Sequence, residues 1–175
     1  KLGPKEGLAL INGTQMMSAL LGHSLAQLDK LWKWAAAIGS LSHAAYAGLD
    51  AAFHPEVHAV RGHAGQISAA AQLRGWLDGA SYTSQPRSWV QDPYSLRCMP
   101  QVHGAVRGAI DYGQQIFTAE ATAVTDNPVL LPDSKEVISA GNFHGEPLAL
   151  VLDHLKVAAA ELASISERRM YKLLG

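Results

Sequence analysis

The chain has 175 residues, which is enough for one domain with a sizeable core, and its 48% hydrophobic content excludes an intrinsically disordered protein. A composition with 28 alanines and only 7% aromatic residues disfavours an all-β sandwich and favours helices. The net charge of −1 excludes a general electrostatic attraction to nucleic acid or to an anionic membrane.

The first helical pattern is an apolar stripe whose successive members are three or four residues apart. Its members are Leu21, Leu25, Leu28, Trp32 and Ala35. Asn12-Gly13-Thr14 precedes the stripe and offers capping side chains, and the helix is predicted to continue past Gly39 towards Leu49. His54-Pro55 predicts a break, after which a further helix is predicted over residues 62–77.

The next part of the chain predicts a polar loop, a helix and a hairpin. Residues 79–97 carry glycine, proline and polar side chains without periodicity, and such a stretch inside a helical chain is typical of a functional loop. A helix resumes near Met99 and is predicted to end at Asn127-Pro128. Residues 129–131 and 136–138 predict one small hairpin.

The last helix is predicted to begin at Glu146-Pro147. It carries an apolar seam of the kind found in helix bundles, formed by Leu148, Val151, Leu155, Ala158, Leu162 and Ile165. The short run Glu167-Arg168-Arg169, mixed in sign, predicts a solvated helix end. The predicted fold class is therefore all-α. We expect a single segment over residues 1–175, a bundle of long helices with two polar loops at 79–97 and 141–147.

Composition also bears on membrane insertion, the redox compartment, metal binding and assembly. No apolar run is long enough for a membrane span, and the single Cys98 excludes an internal disulfide and predicts a reducing, cytoplasmic compartment. His54, His58 and His63 lack the spacing of a zinc site, so no metal is predicted. The charged fraction of 17% is low for a free helical surface, which predicts burial in an oligomer or a larger protein.

Three segments carry residues that are suited to chemistry. Tyr94 and Arg97 are three residues apart, so in a helical turn an Arg fork for a carboxylate and a phenol for proton transfer would project together. The alternative is an Arg that bonds loop carbonyls with a Tyr packed on it. Residues 141–147 could line a pocket or only start a helix. Asn12 could serve an active site or cap a helix.

Five stretches occur in the order found in one family: EGLALINGTQ at 6–15, VQDPYSLRCMPQV at 90–102, TDNP at 125–128, GNFHGEP at 141–147 and SISERR at 164–169. Together they resemble the methylidene-imidazolone (MIO)-dependent aromatic amino-acid ammonia-lyases, and most closely the histidine branch. The resemblance implies a fumarase/aspartase-like helical fold and a homotetramer whose active sites draw on more than one subunit. It implies removal of ammonia from L-histidine to give trans-urocanate, with MIO, formed from Ala-Ser-Gly, as the electrophile.

The resemblance also implies roles for individual residues. Asn12 and Tyr94 are expected to be catalytic, Asn12 at the prosthetic group and Tyr94 at the reacting centre. Arg97 is expected to bind the substrate carboxylate, with Gln91 in the same polar network. Phe143 and its neighbour Asn142 are also expected to bind the substrate, Phe143 by packing against it.

The chain departs from the family pattern in what it lacks. No Ala-Ser-Gly tripeptide is present, since Gly79-Ala80-Ser81 and Ser139-Ala140-Gly141 have the wrong order. The family's N-terminal loop with its Tyr and His, and an acidic residue further towards the C-terminus, are also missing. We therefore expect a central part of a longer lyase, inactive alone. The alternatives are a tyrosine or phenylalanine ammonia-lyase or aminomutase, and a non-catalytic helical assembly module. Glu146 and residues 164–169 favour the histidine branch.

Overall fold

The computed structural model describes residues 1–82 and 89–175. The described α-helices are α1 (Glu6–Asn12), α2 (Gln15–Ala45), α3 (Pro55–Ala59), α4 (Ala64–Leu77), α5 (Tyr94–Arg97), α6 (Met99–Ala121) and α7 (Glu146–Leu174). A short 3-10 helix covers Asp50–Phe53. The predicted all-α fold class is confirmed. Of the predicted polar stretch 79–97, residues 83–88 lie outside the described residues.

The predicted hairpin is present. Strands β1 (Val129–Leu131) and β2 (Glu136–Ile138) pair antiparallel, with Leu130 opposite Val137. Lys135 adopts the left-handed conformation, with φ 57°, directly before β2. A left-handed residue of this kind is what a tight reversal between two short strands requires.

Several predicted helix boundaries are right and one is wrong. His54 caps α3 by accepting a hydrogen bond from the Glu56 N–H, and Pro55 takes the first helical position, so the expected break falls where two short helical segments meet. The predicted end of the helix at Asn127-Pro128 is wrong, because α6 ends at Ala121. Beyond it, the side chains of Thr125 and Asp126 bond the Thr14 N–H and Lys5 instead.

The chain divides into two compact units. Unit 1 comprises Lys1–Ala26 and Tyr112–His154, and unit 2 comprises Gln27–Asp111 and Leu155–Gly175. In unit 1 the ring of Phe117 fits against Gly22, where a Cβ atom would lie only 2.8 Å from Cε2 of that ring. In unit 2 the core contains Ala36, Phe53, Leu73, Leu77, Tyr82, Met99 and Ile165.

The apolar seam predicted for α7 is confirmed, since all six of its members are buried. The prediction of a solvated end at Glu167-Arg168-Arg169 is wrong for one residue. Arg168 is exposed and pairs with Glu167, whereas Arg169 is only 3% exposed. Arg169 follows Ile165 by four positions, so it continues the buried face of the helix. Within residues 1–82 and 89–175, every helix is too short or too polar to cross a lipid bilayer.

Candidate functional site

The turn that carries Tyr94 and Arg97 is helix α5. Pro93 precedes it with φ −61° and ψ 156°, and the Pro93 carbonyl accepts hydrogen bonds from the N–H groups of Leu96 and Arg97 at 3.0 and 3.1 Å. Proline fixes φ in this range, so the residue starts the helical turn at little entropic cost. The predicted common direction of the two side chains is confirmed: Cζ of Arg97 lies 4.6 Å from the centroid of the Tyr94 ring.

The two side chains of the Tyr94–Arg97 pair differ in their exposure to solvent. Tyr94 is 73% exposed. The Nε atom of Arg97 is buried and has no hydrogen-bond partner within residues 1–82 and 89–175. Because Nε is closed to a ligand, a carboxylate from outside the chain would have to pair with the Nη groups of this guanidinium. Gln91, also exposed, lies on the same loop just before Pro93.

Asp92 supports this loop from inside unit 2, and its role was not anticipated from the sequence. Asp92 is buried, with Oδ2 accepting a hydrogen bond from the Leu49 N–H at 2.5 Å and Oδ1 accepting one from Nε1 of Trp89 at 3.1 Å. The Trp89 ring packs on Tyr46, with ring centroids 5.1 Å apart. The carboxylate therefore joins the loop to the segment that follows α2.

The segment that follows α2 is itself held by a polar cluster. Oδ1 of Asp50 accepts a hydrogen bond from the Tyr82 hydroxyl and lies 3.1 Å from Nε2 of His43. Burial, together with the Asp50 carboxylate, raises the pKa of Tyr82 above its ordinary value, so the phenol stays protonated and keeps donating. Leu49, whose N–H bonds Asp92, directly precedes this anchored carboxylate.

Arg169 contacts the α5 turn from α7. Its Nη1 donates to the Ser95 carbonyl at 3.3 Å and its Nη2 to the Ser166 hydroxyl at 3.3 Å. The Ser166 hydroxyl in turn donates to the Leu162 carbonyl at 2.8 Å. The turn between Tyr94 and Arg97 is thus bonded to the buried face of α7.

In unit 1, Asn12 is the last residue of α1 and does not cap a helix. Its Nδ2 lies 3.5 Å from Oδ1 of Asp126 and 3.5 Å from the Asn127 carbonyl oxygen. Asp126 also accepts hydrogen bonds from Lys5 and from the Asn127 N–H, and the Lys5 ammonium holds the pKa of this carboxyl below its usual range. The capping interpretation of Asn12 is therefore wrong, and its amide is oriented by two acceptors.

Residues 141–147 contact the same segment of unit 1 as Asn12 does, residues 124–127. Nδ2 of Asn142 donates to the Val124 carbonyl at 3.3 Å, and Phe143 is 43% exposed. His144 accepts a hydrogen bond from the Glu146 N–H through Nδ1 at 3.3 Å, which is an N-terminal cap of α7. The segment therefore starts a helix and also presents an exposed aromatic ring. Asn12 and Asn142 both contact the segment 124–127.

The expected site residues are divided between the units. Asn12, Asn142 and Phe143 belong to unit 1, whereas Gln91, Tyr94 and Arg97 belong to unit 2. Sequence reasoning missed Asp92, Asp126 and Arg169 as supporting groups, although each of them occurs in a stretch that pointed to the family.

The histidines of the described part of the chain were considered as metal ligands because of their number. Its histidine, cysteine and acidic side chains form no group of three that could hold an ion. The buried His58 is engaged elsewhere: Nε2 lies 3.0 Å from the Ala52 carbonyl oxygen and Nδ1 lies 2.9 Å from Nε2 of Gln66.

Comparison with known proteins gives consistent matches over the whole chain. The family described as aromatic amino acid lyase matches residues 1–175. The histidine ammonia-lyase of Anaeromyxobacter sp. (strain K) is 49% identical over 178 residues, covering 99% of this chain and 35% of that protein. The crystal structure of histidine ammonia-lyase from Trypanosoma cruzi has a TM-score of 0.88 at 42% identity, covering 99% of this chain and 32% of the other.

A tyrosine aminomutase is also similar in structure. The enzyme from Streptomyces globisporus has a TM-score of 0.94 at 32% identity, covering 100% of this chain and 37% of the other. The chain spans about a third of the length of the relatives it matches.

Proposed function

The chain belongs to the aromatic amino acid lyase family, and we propose that the protein in which it functions is a histidine ammonia-lyase. The reaction would convert L-histidine to trans-urocanate and ammonia. The observation that carries this proposal is the α5 turn, where the guanidinium of Arg97 lies over the exposed ring of Tyr94. The 49% identity to a curated histidine ammonia-lyase supports histidine as the substrate.

The chemistry of the turn fits an amino-acid substrate. The Arg97 fork would bind the substrate carboxylate through two parallel hydrogen bonds and so fix the Cα atom. In the elimination, the bond from Cα to nitrogen and a bond from Cβ to hydrogen break, a carbon–carbon double bond forms, and ammonia leaves. Tyr94 would hold or move a proton at this centre through its phenol oxygen. Gln91 would hydrogen-bond in the same network, and Phe143, beside Asn142, would pack against the substrate ring.

The prosthetic group of the proposed enzyme is MIO. When present, it supplies an electrophile that takes up an electron pair from the substrate. The sequence has no Ala-Ser-Gly tripeptide, so MIO would be formed by residues other than these, and we expect the 175 residues alone to be inactive. Asn12 would contact the group, and its amide is held for that contact by Asp126 and Asn127, which lie 3.5 Å from Nδ2.

We also propose that the protein assembles as a homotetramer whose sites draw on more than one subunit. Unit 2 presents an apolar groove of about 370 Å³ between α2 and α7. Leu31, Trp34, Ile38 and Met170 line it, and each is more than half exposed. An exposed apolar surface of this kind is typical of a protein–protein interface. Substituting Trp34 by Glu should lower the oligomeric state, which sedimentation velocity of the full-length protein would measure.

The proposed activity can be tested directly on the full-length protein. L-histidine should give a product with the strong ultraviolet absorption of trans-urocanate, and equimolar ammonia should be released. L-tyrosine and L-phenylalanine serve as matched substrates: faster turnover of either would assign the protein to the tyrosine or phenylalanine branch instead. An intact full-length protein that acts on none of the three would exclude both lyase functions and favour a helical assembly module.

A further inference from the structure

We propose that Asp92 and Arg169 are positioning residues that hold the α5 turn at two points and so align Tyr94 and Arg97 with the substrate. This inference rests on the proposed lyase function. Neither residue is placed at the substrate. Both are only 3% exposed, and both act through contacts with the loop that carries Gln91, Tyr94 and Arg97.

The first point at which the turn is held is the Asp92 carboxylate, both of whose oxygens accept hydrogen bonds. Oδ2 accepts from the Leu49 N–H at 2.5 Å, and Oδ1 accepts from Nε1 of Trp89 at 3.1 Å. Both donors are themselves fixed, since Trp89 packs on Tyr46 and Leu49 adjoins the Asp50 cluster. Residue 92 is therefore held in place, and only Pro93, with its restricted φ, separates it from Tyr94.

The second point is the guanidinium of Arg169. It donates to the Ser95 carbonyl at 3.3 Å and to the Ser166 hydroxyl at 3.3 Å. Ser95 lies inside the α5 turn, between Tyr94 and Arg97, so this bond fixes the turn against α7. A long helix is a more rigid support than a loop, and rigid support of this kind is what keeps catalytic geometry within a fraction of an ångström.

The Asp92 geometry predicts a specific effect of a substitution that preserves shape. Asparagine has one acceptor oxygen, so Asp92→Asn must turn its NH₂ group towards the Leu49 N–H or towards Nε1 of Trp89, the two donors that the described residues supply. The turn would shift to relieve this contact between two donors. A misplacement of about 1 Å near reacting groups can cost on the order of 100-fold in rate.

The test measures kcat and KM for L-histidine with the full-length enzyme. Asp92→Asn and Arg169→Lys should each lower kcat/KM by about 10- to 100-fold. Because these residues act through both Tyr94 and Arg97, Asp92→Asn should cost less than about threefold when Tyr94→Phe and Arg97→Lys are both already present. Asp29→Asn is the matched control, since Asp29 bonds Lys33 and Arg107 and not the turn; its kinetics should stay within about twofold of wild type.

A second substitution that reduces the cost of Asp92→Asn would separate a positioning role from general destabilisation of the protein. Trp89→Phe removes the donor next to Oδ1, so the amide of Asp92→Asn no longer meets a second donor there. In the Trp89→Phe background, Asp92→Asn should therefore cost much less than it does alone. If Asp92→Asn fails to fold, Arg169→Lys in the same Tyr94→Phe, Arg97→Lys background carries the same test.

The outcomes distinguish this inference from the proposed function. An active wild-type enzyme with unchanged kinetics in Asp92→Asn and Arg169→Lys would overturn the positioning role and leave the lyase function standing. Losses that multiply fully with those of the Tyr94→Phe, Arg97→Lys double variant would overturn it as well. A wild-type protein that is inactive on every aromatic amino acid would overturn both.

Discussion

Arg97 lies over the ring of Tyr94, with 4.6 Å between its Cζ and the ring centroid. This contact orients the guanidinium plane without a counter-charge from residues 1–82 and 89–175, because the face of the ring attracts a cation. Orienting the side chain in advance reduces the entropy that is lost on binding a substrate. This arrangement supports the proposal that Arg97 binds the substrate carboxylate.

Removing the Arg97 fork should therefore weaken substrate binding strongly. We expect Arg97→Ala in the full-length enzyme to cost about 3–5 kcal/mol in kcat/KM, since the substrate carboxylate would be left without its partner. Arg97→Lys keeps the charge but loses the bidentate geometry, and it should raise KM by at least about tenfold. Steady-state kinetics with L-histidine measure both effects.

Arg168 provides the matched control for this substitution. It is exposed, it pairs with the neighbouring Glu167, and it lies over Tyr171 in the same helix. It therefore repeats the arrangement of an arginine on a tyrosine without a proposed ligand. Arg168→Lys should leave kcat and KM within about twofold of wild type. Equal effects of the two substitutions would argue against carboxylate binding by Arg97.

The contact between Asn12 and Asp126 leads to a second prediction. Asparagine has one oxygen where the carboxylate has two, so in Asp126→Asn either Lys5 or the amide of Asn12 would lose its acceptor. We expect kcat to fall by about tenfold with a smaller change in KM, because Asn12 is proposed to act at the prosthetic group and not on the carboxylate. The control is Asp133→Asn in the exposed hairpin turn. A loss of the same size in both variants would contradict this assignment.

Much of the fold could be predicted because helical periodicity is a local signal. The α7 seam, the hairpin and the common direction of Tyr94 and Arg97 all follow from spacing alone. The burial of Arg169 was also within reach, since it continues the seam of Leu162 and Ile165 by one helical step. Arginine side chains are usually exposed to solvent, and this tendency led to the wrong prediction that Arg169 is solvated.

The contacts of Asn12 could not be predicted in this way. Its partners Asp126 and Asn127 lie more than one hundred positions further along the chain. No local pattern indicates that pairing, and a polar side chain before a helical stretch resembles a cap. For the same reason the support that Asp92 receives from Leu49 was missed, because it joins segments that are distant in sequence.

Close packing of α4 on α6 gives a prediction for stability. A Cβ atom at Gly65 would overlap the Gly104 carbonyl oxygen, and one at Gly104 would overlap the backbone of Gln66. We expect Gly65→Ala to lower the free energy of unfolding of the full-length protein by about 1–3 kcal/mol, because the backbone must move. At Gly75, in the same helix, an added methyl group would meet no atom within 4 Å among the described residues. Gly75→Ala should stabilise by up to about 1 kcal/mol, and urea denaturation compares the two.

The buried His103 makes stability depend on pH. Its side chain is fully buried, and neither ring nitrogen has a hydrogen-bond partner in the described part of the chain. Burial, reinforced by the charge of Arg169, lowers the pKa of His103 from 6.5 to about 4. Between these two values the unfolded chain binds a proton that the folded chain does not bind. The free energy of unfolding therefore falls as the pH falls from 6.5 towards 4.

This effect can be isolated with His103→Leu in the full-length protein, which removes the titrating group and keeps a similar volume. From the two pKa values, 6.5 unfolded and about 4 folded, wild type should lose about 2 kcal/mol more than the variant between pH 7.5 and pH 5. Between pH 7.5 and 8.5 the difference should stay constant, because His103 is then neutral in both states. Urea denaturation at the three pH values measures it. A difference that is the same at pH 5 as at pH 7.5 would mean that His103 takes up its proton in the folded protein.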